Sequence, residues 1–298
     1  MKLEDYKEII LSSLKELTLS QMYKFIRKDN TKIQVDDMYN IFVKNTEHKN
    51  NILVVAHLDR VLENEPRLFR YEEFPDRLYG AYGWDDRAGI IAALELFHKY
   101  DIDLLFTTGE EDGCVGAKRV QKSSIKQYDL IFELDRHGNS DFVNDCAMGL
   151  LCNDDFTKAI TYHIGSKGMV LKPTRGVYTD IGALRSINNH AQMFYMSCGY
   201  YSEHTTNEYL VLGELQRSIT IAGYIIEYVN EHPEVLKEFV PVVEPIVQED
   251  NHHDMHYSVD NGFDCDYYCY NCDCYLYEDE LMANGVCPYC RDLVEKMT

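Results

Sequence analysis

Three short apolar runs stand out in the hydrophobic pattern, because each is followed closely by residues that can bind a metal ion. The runs are residues 52–56, followed by His57; residues 101–106, followed by Glu110 and Glu111; and residues 130–134, followed by Asp135. Apolar runs of this length predict buried strands. Because open α/β sheets keep their chemistry at the carboxyl ends of the strands, we expect these polar residues to form one site.

The rest of the pattern alternates between helices and strands. Residues 3–28 have helical apolar spacing that is interrupted near Thr18 and Ser20, which predicts two short helices. Residues 32–43 predict a hairpin, and residues 192–196 predict a further strand. A buried helix is predicted whose first turn carries Asp85 and Asp86 and which continues through the apolar run 90–97, and a further helix is predicted over residues 211–231. This alternation indicates an α/β domain.

The composition changes at Pro241. Residues 241–264 contain few large aliphatic side chains and read as a linker. Six of the ten cysteines then fall in the last 34 residues, among them two CxxC pairs separated by 14 residues: Cys269 and Cys272, then Cys287 and Cys290. Four thiolates at this spacing predict one structural zinc ion in a zinc ribbon, and zinc is favoured over iron. Cys265 and Cys274 are spare thiols, and a pairing that uses Cys265 stays open. We therefore predict a first domain over residues 1–240, a linker over 241–264 and a ribbon over 265–298.

The charge of the chain limits its partners. Its 29 basic and 50 acidic residues give a net charge of -21, which disfavours binding to nucleic acid. The ribbon has seven acids against two bases, so a protein partner is the better prediction for it. No apolar segment has the length of a membrane span, and the amino-terminal residues do not resemble a signal peptide. With the cysteine pattern, which fits a reducing compartment, this predicts a cytoplasmic protein without a membrane partner.

Five candidate metal ligands stand at the ends of predicted strands and helices: His57, Asp85, Glu111, Asp135 and His204. A mixed set of imidazoles and carboxylates is what zinc accepts where it must keep positions open for a water and a substrate. Two ions need a shared ligand, and Asp85 could bridge them with its two carboxylate oxygens. Its negative charge is also favoured at the start of a helix.

The motifs around these ligands resemble, in order, those of the co-catalytic di-zinc exopeptidases of peptidase clan MH, which include aminopeptidases, deacylases and glutamate carboxypeptidases. They are His57-Leu58-Asp59, residues 83–87, Gly109-Glu110-Glu111, Glu133-Leu134-Asp135 and residues 202–208. Five motifs in the right order are far more specific than one. The resemblance implies a mixed central sheet flanked by helices on both faces. It also implies two catalytic zinc ions, with manganese or cobalt as alternatives.

The resemblance also implies a role for each matching residue. His57 and Asp135 would bind one zinc ion, Glu111 and His204 the other, and Asp85 would bridge them. Asp59 would hydrogen-bond the imidazole of His57 and fix its tautomer. Glu110 would be the general base that removes a proton from the metal-bridged water. Tyr200 or Tyr201 is a candidate donor to the oxyanion.

The spacing between the motifs bears on the substrate. Many members of the superfamily insert a lid domain, but the gaps here span only 27 residues (58–84) and 68 residues (136–203), so no lid domain is expected. A chain without a lid resembles the single-domain aminopeptidases, in which surplus acids hold the free amine of a small peptide. Asp86, Asp112 and Glu203 are candidates for that role, and for each of them a structural role that supports the metal ligands is an equal alternative.

An aminopeptidase is therefore the preferred function. An N-acyl amino acid deacylase or amidase and a carboxypeptidase are the alternatives among enzymes, and a metal-binding adaptor that works through the ribbon is the alternative without catalysis. The sequence leaves homo-oligomer formation open.

Overall fold

A computed structural model describes residues 2–46, 51–61, 70–72, 76–79, 83–147 and 149–239, together with the backbone of residues 267–269, 274–276 and 295–296. The chain divides into two compact units, Met1–Val240 and Pro241–Thr298. The strands of the first unit are β1 (Thr31–Val35), β2 (Ile41–Asn45), β3 (Ile52–His57), β4 (Arg70–Glu72), β5 (Arg77–Tyr79), β6 (Asp103–Thr107), β7 (Leu130–Glu133), β8 (Asp141–Cys146), β9 (Gly149–Leu150), β10 (Lys172–Arg175), β11 (Gln192–Met196), β12 (Tyr200–Tyr201) and β13 (Tyr209–Val211).

The α-helices are α1 (Lys7–Ile10), α2 (Leu19–Ile26), α3 (Trp84–Lys99), α4 (Lys122–Ile125), α5 (Asp154–Ser166), α6 (Asp180–Ile187) and α7 (Leu212–Glu231). Short 3₁₀ turns lie at Leu3–Tyr6, Ala117–Arg119 and Pro233–Leu236. The predicted break near Thr18 is confirmed, because Thr18 caps the amino terminus of α2 and its backbone N–H donates to the side chain of Gln21 at 3.0 Å.

Nine strands form the main sheet, in the order β1-β2-β6-β3-β7-β11-β8-β10, with β9 paired to β8. The central neighbours β6, β3, β7 and β11 are parallel, whereas β1 with β2 and β11 with β8 are antiparallel. The predicted hairpin is the antiparallel pair β1 and β2. The sheet is therefore mixed, with its parallel strands at the centre, where both faces can be covered.

Helices cover both faces of this sheet. Along β3, Ile52, Val54 and Ala56 point into a core shared with α3 and α7, while Leu53 and Val55 point into a second core shared with α6. All five are at most 1% exposed, as expected of a strand that is buried on both sides. The predicted fold, a mixed sheet flanked by helices on both faces, is confirmed.

A second sheet of four strands, in the order β12-β13-β5-β4, also lies in the first unit. β12 and β13 pair antiparallel, so the segment that joins them, residues 202–208, returns on itself. Between Asp135 and His204 the described residues build β8 to β12 with α5 and α6, and none of them forms a separate lid.

The second unit contains β14 (Tyr267–Cys269), β15 (Cys274–Leu276) and β16 (Glu295–Lys296). They form an antiparallel sheet in the order β15-β14-β16. Of the cysteines in the predicted ribbon, Cys269 ends β14 and lies opposite Cys274 of β15, while Cys272, Cys287 and Cys290 lie outside the described residues. Among the helices that the structure describes, none is both long enough and apolar enough to cross a bilayer.

We expect the Phe194→Ala substitution to lower the free energy of unfolding by about 3–5 kcal/mol. Phe194 is fully buried, and its ring centroid lies 5.0 Å from that of Phe132 and 4.6 Å from that of Phe142, so truncation leaves a cavity in the main core. Denaturant unfolding measures the loss. As a control, Tyr162→Ala on α5 removes a side chain that is 82% exposed and changes stability by at most about 0.5 kcal/mol. Equal losses in the two variants would contradict the placement of Phe194.

Candidate metal centre

The register of the parallel strands brings His57 and Asp135 together. Val55 of β3 lies opposite Glu133 of β7, so the residues two positions further on, His57 and Asp135, are level with each other. On the other side of β3, His57 lies opposite Thr107, the last residue of β6. The loop that follows β6 carries Glu111. All three ligand-bearing segments therefore leave the sheet at one edge.

Asp85 and His204 reach this edge from two other elements. Asp85 lies in the first turn of α3, where its backbone is not yet helical (φ -81°, ψ 108°), and its peptide bond to Asp86 is cis. His204 lies in the segment between β12 and β13 with a positive φ of 58°. The five side chains that the sequence analysis selected are thus contributed by five separate segments.

The carboxylate of Asp85 lies between the two histidines. Its Oδ1 is 2.9 Å from His57 Nε2, and its Oδ2 is 3.1 Å from His204 Nε2. Asp135 Oδ1 is 3.8 Å from His57 Nε2, and Glu111 Oε1 is 3.1 Å from His204 Nε2. The ligands therefore divide into one group around His57 and one around His204, and Asp85 belongs to both.

The electrostatics of the site fit divalent cations. Burial raises the pKa of Asp135 well above its usual range, with the Asp85 carboxylate adding to the effect, and burial likewise raises the pKa of Glu111. Burial also disfavours the charged form of Asp85, but hydrogen bonds with His204 and His57 outweigh it and lower the pKa of this carboxyl. Potential ligand atoms of His57, Asp85 and Glu111 lie within 4.8 Å of one another. Buried carboxylates that converge in this way need positive charge between them.

Glu208 holds Asp85 in place. Its Oε1 accepts a hydrogen bond of 2.8 Å from the backbone N–H of Asp85, and the residue is only 8% exposed. The sequence analysis included Glu208 in a motif but gave it no role. The sequence signal for Glu208 is its position four residues after His204. Its contact with the start of α3 becomes visible only in the folded structure.

Asp86 supports the site through hydrogen bonds to the backbone. Although it was a candidate to hold a substrate amine, it is fully buried, and its oxygens accept hydrogen bonds from the backbone N–H groups of His57, at 3.3 Å, and Gly89, at 2.9 Å. A Cβ atom at Gly89 would collide with this carboxylate, so glycine is required at that position in the helix. Asp86 fixes the backbone of a ligand and is closed to substrate.

Asp59 acts on the neighbouring loop. Its Oδ1 and Oδ2 accept hydrogen bonds from the backbone N–H groups of Glu110, at 3.0 Å, and Glu111, at 3.1 Å. Its distance to His57 Nδ1 is 3.5 Å, and Nδ1 is buried without a hydrogen-bond partner. The sequence analysis predicts that Asp59 orients the imidazole of His57, and the two side chains face each other at 3.5 Å. Asp59 also orients the loop that carries Glu110 and Glu111.

The two tyrosines next to the His204 segment have partners of their own. Tyr200 donates a hydrogen bond of 2.9 Å to Asp135 Oδ1, and Tyr201 donates one of 2.6 Å to Glu214. Tyr200 therefore orients the candidate ligand Asp135, a contact that the sequence analysis did not include.

The two other acids that the sequence analysis offered for binding a substrate amine are paired. Asp112 accepts a hydrogen bond of 2.6 Å from Lys15 Nζ, and Glu203 lies 2.7 Å from His137 Nδ1. Both pairs are partly open to solvent. Of the three acids that the sequence offered for binding an amine, these two are accessible.

Comparison with known proteins identifies the superfamily. The model of peptidase family M28 matches residues 40–177, which contain four of the five candidate ligands. Over these residues the chain resembles peptidase family M28, which belongs to the co-catalytic zinc exopeptidases. The recognition from the order of the motifs is confirmed for this part of the chain, and the match identifies a hydrolase of the metallopeptidase class.

Solved structures share the fold at low sequence identity. The aminopeptidase PepT from Bacillus cereus superimposes with a TM-score of 0.63 at 13% identity, covering 76% of this chain and 98% of the other. A tripeptidase from Staphylococcus aureus gives 0.59 at 12% identity, covering 76% and 96%. An aminopeptidase from Desulfurococcus kamchatkensis gives 0.59 at 15% identity, covering 80% and 98%. A search of curated protein sequences finds no significant match.

We expect the Asp59→Ala substitution to weaken zinc binding about 10- to 100-fold, because it removes the acceptor that fixes the backbone of Glu110 and Glu111. Competition with a chromophoric chelator measures the affinity. The matched control is Asp112→Ala, which removes a carboxylate beside the same loop that is paired with Lys15 and exposed; it changes the affinity by at most about twofold. If zinc affinity falls by the same factor in both variants, Asp59 acts only through its charge and not through the hydrogen bonds to the loop.

Proposed function

We propose that this metallopeptidase is an aminopeptidase that removes the amino-terminal residue from small peptides. Two divalent cations, preferably zinc, would act together in the reaction. The observation that carries the proposal is the position of Asp85, whose two carboxylate oxygens each face the Nε2 atom of a different histidine. A carboxylate placed between two ligand groups is the arrangement that a two-metal site needs.

The donor set supports two ions. His57 and Asp135 would hold one cation and Glu111 and His204 the other, with Asp85 between them. When bound, the two cations supply positive charge that polarises the scissile carbonyl group and lowers the pKa of a water molecule. Asp59, Glu208 and Tyr200 keep the ligands in place through the contacts described above.

Glu110 is the proposed proton carrier. It precedes the ligand Glu111, and its backbone N–H is fixed by Asp59. Burial raises the pKa of Glu110 well above its usual range, and the carboxylates of Asp135 and Asp180 add to this effect against the opposing charge of His57. A carboxyl of raised pKa can accept a proton from the attacking water and then donate it to the leaving amine.

The charges around the site favour a substrate with a free amine. Lys15 is paired with Asp112, Arg136 lies 3.4 Å from Asp141, and the guanidinium of Arg60 donates to the carbonyl oxygens of Leu14 and Ser13. A substrate carboxylate would have to compete with these partners, whereas an ammonium group meets an excess of acids. Similar structures described as aminopeptidases agree with this preference.

The remaining parts of the proposal concern the whole chain. We propose a catalytic domain over residues 1–240, a linker over 241–264 and a zinc ribbon over 265–298 that contacts a protein partner. The cysteine spacing supports the ribbon, and the buried free thiols of the first unit support a cytoplasmic location. Homo-oligomer formation is supported by a similar structure, the TET1 peptidase of Pyrococcus horikoshii, which is described as assembling into a tetrahedron or a large octahedral shell.

We expect Glu110→Gln to lower kcat about 10²- to 10⁴-fold while zinc content stays at the wild-type level, because the change removes the proton acceptor and leaves the ligands intact. Initial rates on unblocked di- and tripeptides and elemental analysis give the two measurements. The control, Glu95→Gln, changes a carboxylate on α3 that binds Tyr6, and it keeps the wild-type kcat.

The substrate panel also tests the choice of peptidase. The same peptides are offered with acetylated amino termini and with amidated carboxyl termini. An aminopeptidase hydrolyses the amidated peptides and spares the acetylated ones. Hydrolysis of acetylated substrates alone would replace this assignment with a deacylase, and full activity of Glu110→Gln would refute the proposed base.

We expect about three zinc ions per full-length chain, two in the catalytic domain and one in the ribbon. Elemental analysis of the purified protein gives the number. The double substitution of Cys287 and Cys290 by serine should remove one ion and leave peptide hydrolysis in place, whereas Asp85→Ala should remove the ions of the catalytic domain. A wild-type chain with a single zinc ion would contradict the two-ion site.

A further inference from the structure

The loop that carries Glu110 is closed on itself by backbone hydrogen bonds. The N–H groups of Gly113 and Cys114 both donate to the carbonyl oxygen of Glu110, and the N–H of Val115 donates to that of Gly109, each at 2.8 Å. Cys114 is therefore tied to Glu110 through the main chain. This closure brings the side chain of Cys114 back toward the residue that the proposed mechanism uses as its base.

The thiol of Cys114 contacts the carboxylate of Glu110. Its Sγ atom lies 3.6 Å from Glu110 Oε1, within the range of an S–H donor, and Cys114 is only 1% exposed. Burial raises the pKa of this thiol, and the nearby Asp180 and Glu110 carboxylates add to the effect. The sulfur thus keeps its proton and can donate it, while the carboxylate can accept.

Asp180 is a second acid beside the thiol. It is fully buried, Thr107 donates to its Oδ2, and its Oδ1 has no hydrogen-bond partner among the described residues. The thiol therefore has two acids near it, of which Glu110 adjoins the candidate ligand Glu111.

The backbone at Cys114 indicates that a side chain is needed there. Its φ is 59°, in the left-handed region, which is unfavourable for a residue with a Cβ atom. Glycine, the residue that adopts this conformation without strain, occupies the preceding position with φ 89°. Strain of this kind persists where other interactions hold it, and it is frequent at functional sites.

We propose that Cys114 is a positioning residue for Glu110: its thiol holds one oxygen of the carboxylate, so that the other is presented to the attacking water and then to the leaving amine. The proposal rests on the proposed function, because the role of Glu110 as base belongs to it. Nothing in the motif order pointed to this residue, which lies between two recognised motifs.

Steady-state kinetics of three variants test the proposal. In Cys114→Ala the carboxylate loses its donor, and we expect kcat to fall about tenfold with KM within about twofold of wild type, since a misplaced base slows the proton transfer without changing substrate binding. Cys114→Ser keeps a donor and should recover part of the loss. The matched control is Cys152→Ala, which removes a buried thiol that contacts Thr157, away from the base, and it should keep the wild-type kcat.

Two kinetic results would overturn the proposal: a wild-type kcat in Cys114→Ala, or a serine variant as slow as the alanine variant. Zinc content and thermal unfolding are measured for each protein, so that a loss of metal or of folded protein is recognised. A fall in kcat that matches a fall in zinc content would also count against positioning.

An infrared measurement tests the contact without catalysis. The difference spectrum of wild type minus Cys114→Ala assigns the S–H stretching band of Cys114, and this band should move to higher frequency in Glu110→Ala, where the acceptor is gone. An unmoved band would refute the hydrogen bond. If the wild-type protein hydrolyses no peptide, the proposed function fails, and the band shift still decides whether the thiol binds Glu110.

Discussion

The carboxylate of Asp85 is the group on which the site depends, because it is the one side chain shared by both ligand groups. Its two oxygens lie 2.9 Å and 3.1 Å from the Nε2 atoms of His57 and His204, two residues that are far apart in the sequence. An acid in this position binds both imidazoles only if its backbone is fixed. Glu208 provides that fixation by accepting the N–H of Asp85, and α3 provides it by anchoring the following residues in the core.

The rest of the fold can be understood as the support of this arrangement. Parallel strands β3, β6 and β7 deliver His57, the Glu110–Glu111 loop and Asp135 to one edge, because parallel strands end on the same side. Their burial on both faces leaves little freedom for register shifts. His204 reaches the same edge from the segment between β12 and β13 of the four-stranded sheet. Two hydrophobic cores therefore hold together a set of acidic residues that repel one another at these short distances.

The central strands and the edge that carries the candidate ligands could be predicted from the sequence, because both follow from the pattern of apolar runs. The apolar runs before His57 and Asp135 identify central strands, and the ligand types at their ends identify the edge where the chemistry lies. The contacts that the loops make could not be predicted in this way. Asp59 binds backbone N–H groups 51 and 52 residues further along the chain, and Glu208 binds one 123 residues before it. Such contacts depend on where loops fold over the sheet, which no local pattern encodes.

The same limit explains why the sequence leaves Asp86 open between a substrate-binding and a structural role, and why it gives Cys114 no role. An acid next to a ligand has the same local sequence whether it faces the cleft or the core, and burial decides between the two. For Asp86 the decision comes from Gly89, whose missing side chain makes room for the carboxylate within the helix. For Cys114 it comes from a left-handed backbone that turns the thiol toward Glu110. In both cases a feature of the backbone, three residues away for Asp86 and at the residue itself for Cys114, determines what a polar side chain can contact. The residue types along the chain do not show this.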